Sequence, residues 1–290
     1  MSTRHSSHSN SKPVLVIGGT GKTGRRVAQR LAERDQAVRI GSRAAEPAFD
    51  WNNAATWRGA LDAARAAYIT YQPDLAVPGA VEAIDTFARL AVQMGVRRLV
   101  LLSGRGEPEA QASERALVHS GAEWTIIRAS WFAQNFSESF LLDAILSDEV
   151  ALPVGDVREP FIDVDDIAEI AAAALSGDGH TGQLYEVTGP RLMTFAQAVD
   201  EIARASGRDV RYRRVEAADY AAALRAQAVP PDTVELVMML LTEVLDGRNA
   251  SLSDGVEKAL GRPPRDFSDY VRRTVETGVW DDVQQTALGA

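Results

Sequence analysis

Short apolar runs alternate with amphipathic stretches along the first half of the chain. The runs are rich in branched residues, as strands buried on both faces require; they cover residues 14–17, 37–40, 67–70, 99–102 and 124–127. Apolar residues recur at helical spacing between them, most clearly around Val27 and Leu31 and over 54–65, 79–94 and 110–120. This alternation predicts a parallel sheet with helices on both faces.

The alternation loosens beyond residue 131. A helix is predicted over 135–146, and Asp163 is placed to cap a helix that runs to residue 175. Residues 183–187 have the pattern of a late strand that returns to the main sheet. Further helices are predicted over 194–205, 217–227, 231–245 and 266–277.

These patterns predict two units after a flexible tail. The Ser-rich, polar segment 1–12 is the expected tail. A nucleotide-type domain is expected over 13–150, followed by a smaller, mainly helical substrate lobe over 151–290 with segments that return to the main sheet.

Composition narrows the function classes for a chain of 290 residues. Hydrophobic residues make up 46% and charged residues 24%, which is typical of a globular protein. No apolar run approaches the roughly 20 residues needed to cross a bilayer. The net charge of -9 opposes direct binding to nucleic acid. Because cysteine is absent, thiolate chemistry and sulfur-based zinc sites are excluded. We expect a cytoplasmic protein without a metal site or a membrane partner, either a monomer or a homodimer.

A glycine-rich turn follows the first strand directly and opens the first helix. Glycines allow a sharp bend and let backbone N–H groups approach a pyrophosphate at the positive end of the helix. The residues that this turn assigns to a cofactor are Gly18, Thr20, Gly21, Lys22, Thr23 and Gly24. Its position between strand and helix predicts an α/β, Rossmann-type doubly wound parallel sheet that binds a dinucleotide.

Two other interpretations of this turn are a P-loop and a purely structural bend. A P-loop needs a glycine where Val16 stands, inside the strand, so ATP hydrolysis fits poorly. A turn that merely joins strand to helix is the structural alternative.

The end of the second strand bears on the choice of nucleotide. NAD-binding proteins usually place a carboxylate there to hold the ribose hydroxyls. This chain has Ser42 and Arg43 instead, and no carboxylate before Glu46. A hydroxyl and a cation suit a 2′-phosphate, which predicts NADPH over NADH; the alternative is a surface arginine without a ligand.

From Val14 to Trp280 the chain resembles the NmrA-like, atypical short-chain dehydrogenases. The features that carry this resemblance are the glycine turn and the segments 95–103, 124–128, 131–136 and 161–168. It is similar, more closely, to the ergot-alkaloid reductases of the agroclavine dehydrogenase-like branch, through residues 49–51, Thr56-Trp57 and 130–135. That branch implies NADPH-dependent reduction of an iminium or a related electrophile. Asp50, Trp51 and the strand-end Tyr71 are assigned to the cofactor side.

The Tyr-x-x-x-Lys pair of typical short-chain dehydrogenases is missing. The lysines are Lys12, Lys22 and Lys258, and none lies four residues after a tyrosine. Reduction of a simple ketone needs a nearby acid, whereas an iminium gives a neutral amine directly and water can protonate a hydroquinone anion. The missing pair therefore favours quinone, imine or iminium acceptors. For a quinone or an iminium the protein need only orient the reactants and exclude water.

Polar and aromatic residues at strand ends are the remaining candidates. Ser103 matches the catalytic serine of the family and could orient substrate or nicotinamide, or it could form an ordinary strand-end hydrogen bond. The predicted substrate contacts are Trp131, Phe132, Asn135 and Phe136. Aromatic walls suit a flat aromatic or cyclic electrophile, and core packing is the alternative for each ring.

A second function remains open besides the reductase. Some NmrA-like proteins bind NAD(P) and regulate partners without turnover, and the missing catalytic pair is equally expected in such a redox sensor. An epimerase-like enzyme with tightly bound cofactor fits least well, because it would need the Tyr-Lys pair.

Overall fold

The computed structural model describes residues 12–281 and has a parallel sheet at its centre. The predicted tail lies outside the described residues, apart from Lys12. The strands are β1 Val14–Ile17, β2 Val38–Gly41, β3 Ala66–Ile69, β4 Arg98–Gly104, β5 Glu123–Ala129, β6 Glu149–Leu152, β7 Arg158–Glu159, β8 Gln183–Val187, β9 Met193–Thr194 and β10 Arg211–Arg214. Six of them form the main sheet in the order β2-β1-β3-β4-β5-β8, and all neighbours pair in parallel.

Helices cover both faces of this sheet and build most of the later chain. They are α1 Lys22–Ala32, α2 Ala55–Leu61, α3 Ala80–Gln93, α4 Pro108–His119, α5 Asn135–Glu138, α6 Leu142–Leu146, α7 Val164–Ser176, α8 Phe195–Ser206, α9 Ala217–Ala226, α10 Pro231–Met239, α11 Gly255–Leu260 and α12 Phe267–Val275. A π-helical turn, Leu240–Val244, continues α10. Within residues 12–281, no helix has the length and apolar character that a bilayer span requires.

Strand β1 is apolar throughout because both of its faces are covered. In β1, Leu15 and Ile17 pack with the α2, α3 and α4 layer, whereas Val14 and Val16 pack with α1 and α7 on the other face. This confirms the predicted Rossmann-type doubly wound sheet, in which continuous runs of branched residues mark buried parallel strands.

Two later segments belong to the main sheet layers, as their patterns predicted. Strand β8 covers residues 183–187 and pairs with β5. Helix α7 packs against α1, and the Asp163 carboxylate caps it by accepting a 2.9 Å hydrogen bond from the Asp165 N–H. The division of the chain near residue 150 stays a prediction.

The later part is mainly helical around a third core, with differences from the predicted elements. Two small ladders were not predicted: β6 pairs with β10 and β7 with β9. Arg211–Arg214 escaped detection because only one face of such a two-stranded ladder is covered, so the strand is rich in arginine. The helix predicted over 135–146 is broken at Ser139, which is extended. The break lets Leu141 and Ile145 pack into the core while Phe140 stays exposed.

Candidate functional site

A cavity of about 390 Å³ lies where β1, β3, β4 and β5 end. Ligands of open α/β sheets bind at this carboxyl edge. The predicted site residues that line the cavity are Gly18, Gly21, Lys22, Thr23, Tyr71, Ser103, Trp131, Phe132 and Asn135. The fold thus brings much of the predicted cofactor turn and much of the predicted substrate wall to one space.

The glycine turn has the geometry that a pyrophosphate needs. Gly18 has a positive φ of 67°, and its carbonyl accepts a 2.8 Å hydrogen bond from the Gly21 N–H. A Cβ at Gly24 would overlap the Gly18 backbone, so the close approach of turn and helix requires glycine. Among the described residues no side chain caps the start of α1, which leaves first-turn N–H groups for an anion. The turn therefore fits a dinucleotide.

Lys22 joins the turn to the segment after β5. Its Nζ donates a 2.7 Å hydrogen bond to Asn135 Oδ1. Burial lowers the pKa of Lys22, while the nearby Glu138 carboxylate opposes that shift. Arg26 donates a 2.6 Å hydrogen bond to Glu138, so the start of α1 is held against α5 at two points.

The residues predicted to select the nucleotide do not line the cavity. Ser42 is half-buried, and Arg43 is exposed; within residues 12–281 its side chain forms no hydrogen bond or ion pair. Thr20, in the glycine turn, is also exposed. The assignment of Ser42 and Arg43 to a 2′-phosphate stays a prediction.

Asp50 and Trp51 lie behind the cavity rather than on its wall. The Trp51 indole donates a 2.9 Å hydrogen bond to the carbonyl of Thr70, at the end of β3. Its ring lies 5.0 Å from the Tyr71 ring, centroid to centroid, and Asp50 stabilises the same loop by accepting from the Asn52 N–H at 3.0 Å. Trp51 thus supports Tyr71, which faces the cavity.

Ser103 is buried at the end of β4, with its hydroxyl engaged. The hydroxyl donates a 2.7 Å hydrogen bond to Glu114 Oε1, and Arg128 Nε donates to the same oxygen at 2.9 Å. Glu114 is therefore neutralised by a cation. This contact fits the alternative of an ordinary hydrogen bond at a strand end, although Ser103 also lines the cavity.

The aromatic residues after β5 separate into two groups. Trp131 and Phe132 line the cavity, and the buried Trp131 Nε1 has no hydrogen-bond partner among the described residues. Phe136, by contrast, is fully buried and lies with its ring centroid 5.6 Å from that of Phe161 and 6.0 Å from that of Phe195. The structure places Phe136 in the third core, away from the cavity, so it matches the core-packing alternative.

Three carboxyl groups on the cavity wall were missed by the sequence analysis: Asp74, Glu107 and Glu159. Burial raises the pKa of Glu107 to about 9, and repulsion from Asp74 adds to the shift. Burial also raises the pKa of Asp74 and that of Glu159, the latter to about 7, against the opposing effects of Asn249 and Arg105. These residues belong to no motif, and they meet only because their segments end at the same cavity.

The remaining wall is apolar and comes from the late helices. It consists of Leu236, Val237, Leu240 and Val244, which belong to α10 and to the π-helical turn. These two elements were predicted as one helix over 231–245. Phe140 contributes from the other side. The cavity therefore combines an anion-binding turn, aromatic rings, buried acids and an apolar cover.

Known proteins are similar to this chain in sequence and in fold. No protein-family model matches the chain. The chain is 31% identical over 281 residues to the (4-alkanoyl-5-oxo-2,5-dihydrofuran-3-yl)methyl phosphate reductase of Streptomyces griseus, covering 89% of this chain and 96% of the relative. It is 29% identical over 282 residues to agroclavine dehydrogenase of Claviceps fusiformis, covering 89% and 96%.

Similarity of structure agrees with similarity of sequence. The NADP(H) complex of the Citrobacter sp. triphenylmethane reductase superposes with a TM-score of 0.73 at 18% identity, covering 91% of this chain and 99% of that one. An identity of 18% shows the fold alone, whereas the relatives that are similar in sequence show the family. The chain is accordingly an NAD(P)H-dependent oxidoreductase and belongs to the NmrA-like family of atypical short-chain dehydrogenases/reductases.

Proposed function

We propose that this protein is an NADPH-dependent reductase of a flat cyclic or aromatic electrophile, namely a quinone, imine or iminium compound. The observation that carries the proposal is a single cavity lined by the glycine turn on one side and by Tyr71, Trp131 and Phe132 on another. The relatives named agroclavine dehydrogenase and (4-alkanoyl-5-oxo-2,5-dihydrofuran-3-yl)methyl phosphate reductase support an electrophilic acceptor.

The side chains and backbone of this chain would supply binding and orientation. The turn at Gly18 and the start of α1 would hold the pyrophosphate, and Arg43 with Ser42 would hold the 2′-phosphate. A reduced nicotinamide, when bound, supplies a hydride. The aromatic side chains would hold the acceptor flat, and the apolar cover would exclude water from the transfer.

The test is oxidation of NADPH by purified protein with a panel of quinones, cyclic imines, preformed iminium salts and cationic triphenylmethane dyes. We expect turnover with at least one class, lower activity with NADH, and loss of turnover in Trp131→Ala. A matched control is Trp124→Ala, since Trp124 packs against the core on β5 away from the cavity. NADPH binding without turnover on any acceptor would contradict the reductase and favour the redox-sensor alternative, which predicts partner capture that changes with the NADP⁺ to NADPH ratio.

A further inference from the structure

Glu107 has an unusual place for a carboxyl group. It follows β4 and occupies the N-cap position of α4, yet its side chain makes no capping hydrogen bond. The residue is only 8% exposed, and its Oε2 has no hydrogen-bond partner among the described residues. Since a buried carboxyl oxygen without a partner is costly, the side chain calls for an explanation, and it lines the cavity.

The backbone nearby makes room for this orientation. A Cβ at Gly104 would overlap both carboxyl oxygens of Glu107. Gly104 is the last residue of β4 and lines the same cavity. The glycine at that position therefore permits the Glu107 carboxyl group to lie over the end of the strand.

The charges around Glu107 favour its neutral form. The charged groups that act on Glu107 are Asp74, Glu109 and Glu114, and all three are acidic. Within residues 12–281 no lysine or arginine forms an ion pair with it, whereas Glu114 on the same helix is paired with Arg128. Burial and these neighbours raise the pKa of Glu107 to about 9. Two carboxyl groups so close retain a proton at neutral pH.

We propose that Glu107 is the proton donor to the acceptor and that Asp74 is the positioning residue that keeps Glu107 protonated. This inference rests on the proposed reductase and concerns its neutral imine acceptors, whose reduction needs a proton. The imine carbon gains the hydride, the C=N π pair moves to nitrogen, and the Glu107 O–H bond breaks as nitrogen takes the proton. The products are an amine, oxidised cofactor and a Glu107 carboxylate, which water then reprotonates.

A matched pair of acceptors isolates this step. A neutral cyclic imine, 3,4-dihydroisoquinoline, needs a proton at nitrogen, whereas its N-methylated iminium salt needs none. In single turnovers at pH 8, Glu107→Gln should slow imine reduction by about 100-fold or more and leave iminium reduction and NADPH affinity within about twofold. The exposed Glu257→Gln on α11, which is not among the groups that act on Glu107, is the control and should change neither rate.

The pH profile tests the role of Asp74. Because the acid form reacts, the wild-type imine rate should fall as the pH rises through about 9. Asp74→Asn removes the neighbouring charge, so this fall should move to lower pH, and the iminium rate should show no such limb. A readout independent of turnover is the infrared band of a protonated carboxyl group at pH 8, which should be absent in Glu107→Gln.

The outcomes separate the two proposals. Equal rates of wild type and Glu107→Gln on the imine, or failure of wild type to reduce the imine while it reduces the iminium salt, would overturn the role of Glu107 and leave the reductase standing. Absence of turnover with both acceptors while a quinone is reduced would also overturn only the role of Glu107. Absence of turnover with these acceptors and with every quinone and dye of the panel, in a protein that binds NADPH, would overturn both. An unshifted pH profile in Asp74→Asn would remove Asp74 from the mechanism.

Discussion

The glycine turn and the carboxyl wall face the same cavity but are assembled in opposite ways. The turn is one continuous segment, residues 18–24, that acts through its backbone and through missing Cβ atoms. The wall takes Asp74, Glu107 and Glu159 from three separate segments, and its chemistry depends on how deeply each carboxyl group is buried. The proposed cofactor site is thus a local motif, whereas tertiary burial creates the acid groups.

This difference predicts that the turn is sensitive to added side-chain atoms and the wall to pH. A methyl group added to a glycine such as Gly24 should distort the turn, because the neighbouring backbone leaves no room for it. The wall should instead respond to pH, because its carboxyl groups are held away from their ordinary pKa values. The following four changes test that contrast.

The largest expected effect is that of Gly24→Ala. Its Cβ would overlap the Gly18 backbone, pushing the turn away from the helix start. Losing two charge-assisted hydrogen bonds to phosphate, at about 1.5–3 kcal/mol each, should weaken NADPH binding by about 100-fold or more. Fluorescence titration of NADPH measures this, with circular dichroism to verify folding. Gly59→Ala on α2, where the new Cβ meets only Pro47 at 3.5 Å, should bind normally; similar affinities in both variants would refute the steric argument.

Glu159→Gln tests the wall through stability. The pKa of Glu159 is raised from 4.5 to about 7 on folding, so the free energy of unfolding should fall as the pH rises through that window. The amide cannot ionise, and the variant should exceed wild type by up to about 3 kcal/mol at pH 8, a gain that vanishes below about pH 4.5. Urea unfolding across pH measures it. The exposed Glu257→Gln should show no such trend, and a pH-independent difference would contradict the assignment.

Arg43→Ala tests the choice of nucleotide. If its guanidinium contacts a 2′-phosphate, the Kd for NADPH should rise about 10-fold to 100-fold, as expected for loss of a charge-assisted contact. The Kd for NADH should stay constant, since NADH lacks that phosphate. Arg58→Ala, an exposed arginine on α2, is the control. Equal weakening of both cofactors would assign Arg43 a general electrostatic effect instead.

The smallest expected effect is at the contact between the glycine turn and α5. Asn135→Ala removes the 2.7 Å acceptor of Lys22 Nζ and should weaken NADPH binding about threefold to tenfold, at a cost of about 1 kcal/mol in stability. Calorimetric titration and thermal unfolding measure these changes, with the exposed Asn52→Ala as the control. An unchanged Kd would show that Lys22 reaches the cofactor without help from Asn135.

Particular residues show where prediction from the sequence succeeded. The run Val14–Ile17, the glycine turn after it and the Asp163 cap were all found because each depends on neighbours within a few positions. Phe136 was misplaced because its spacing does not say which side of α5 packs on Phe161 and Phe195. Glu107 was missed because a glutamate before a proline at a helix start reads as an ordinary cap.

The sequence by itself determined the alternation of strands and helices, the glycine-rich bend between β1 and α1, and the absence of a Tyr-x-x-x-Lys pair. These features follow from short-range spacing and from residue identity. Only the tertiary structure decided which rings face the cavity and which carboxyl groups lose their solvent. Burial is a property of the assembled chain: Asp74, Glu107 and Glu159 acquire raised pKa values only once distant segments close over them and remove the water that would stabilise their charge.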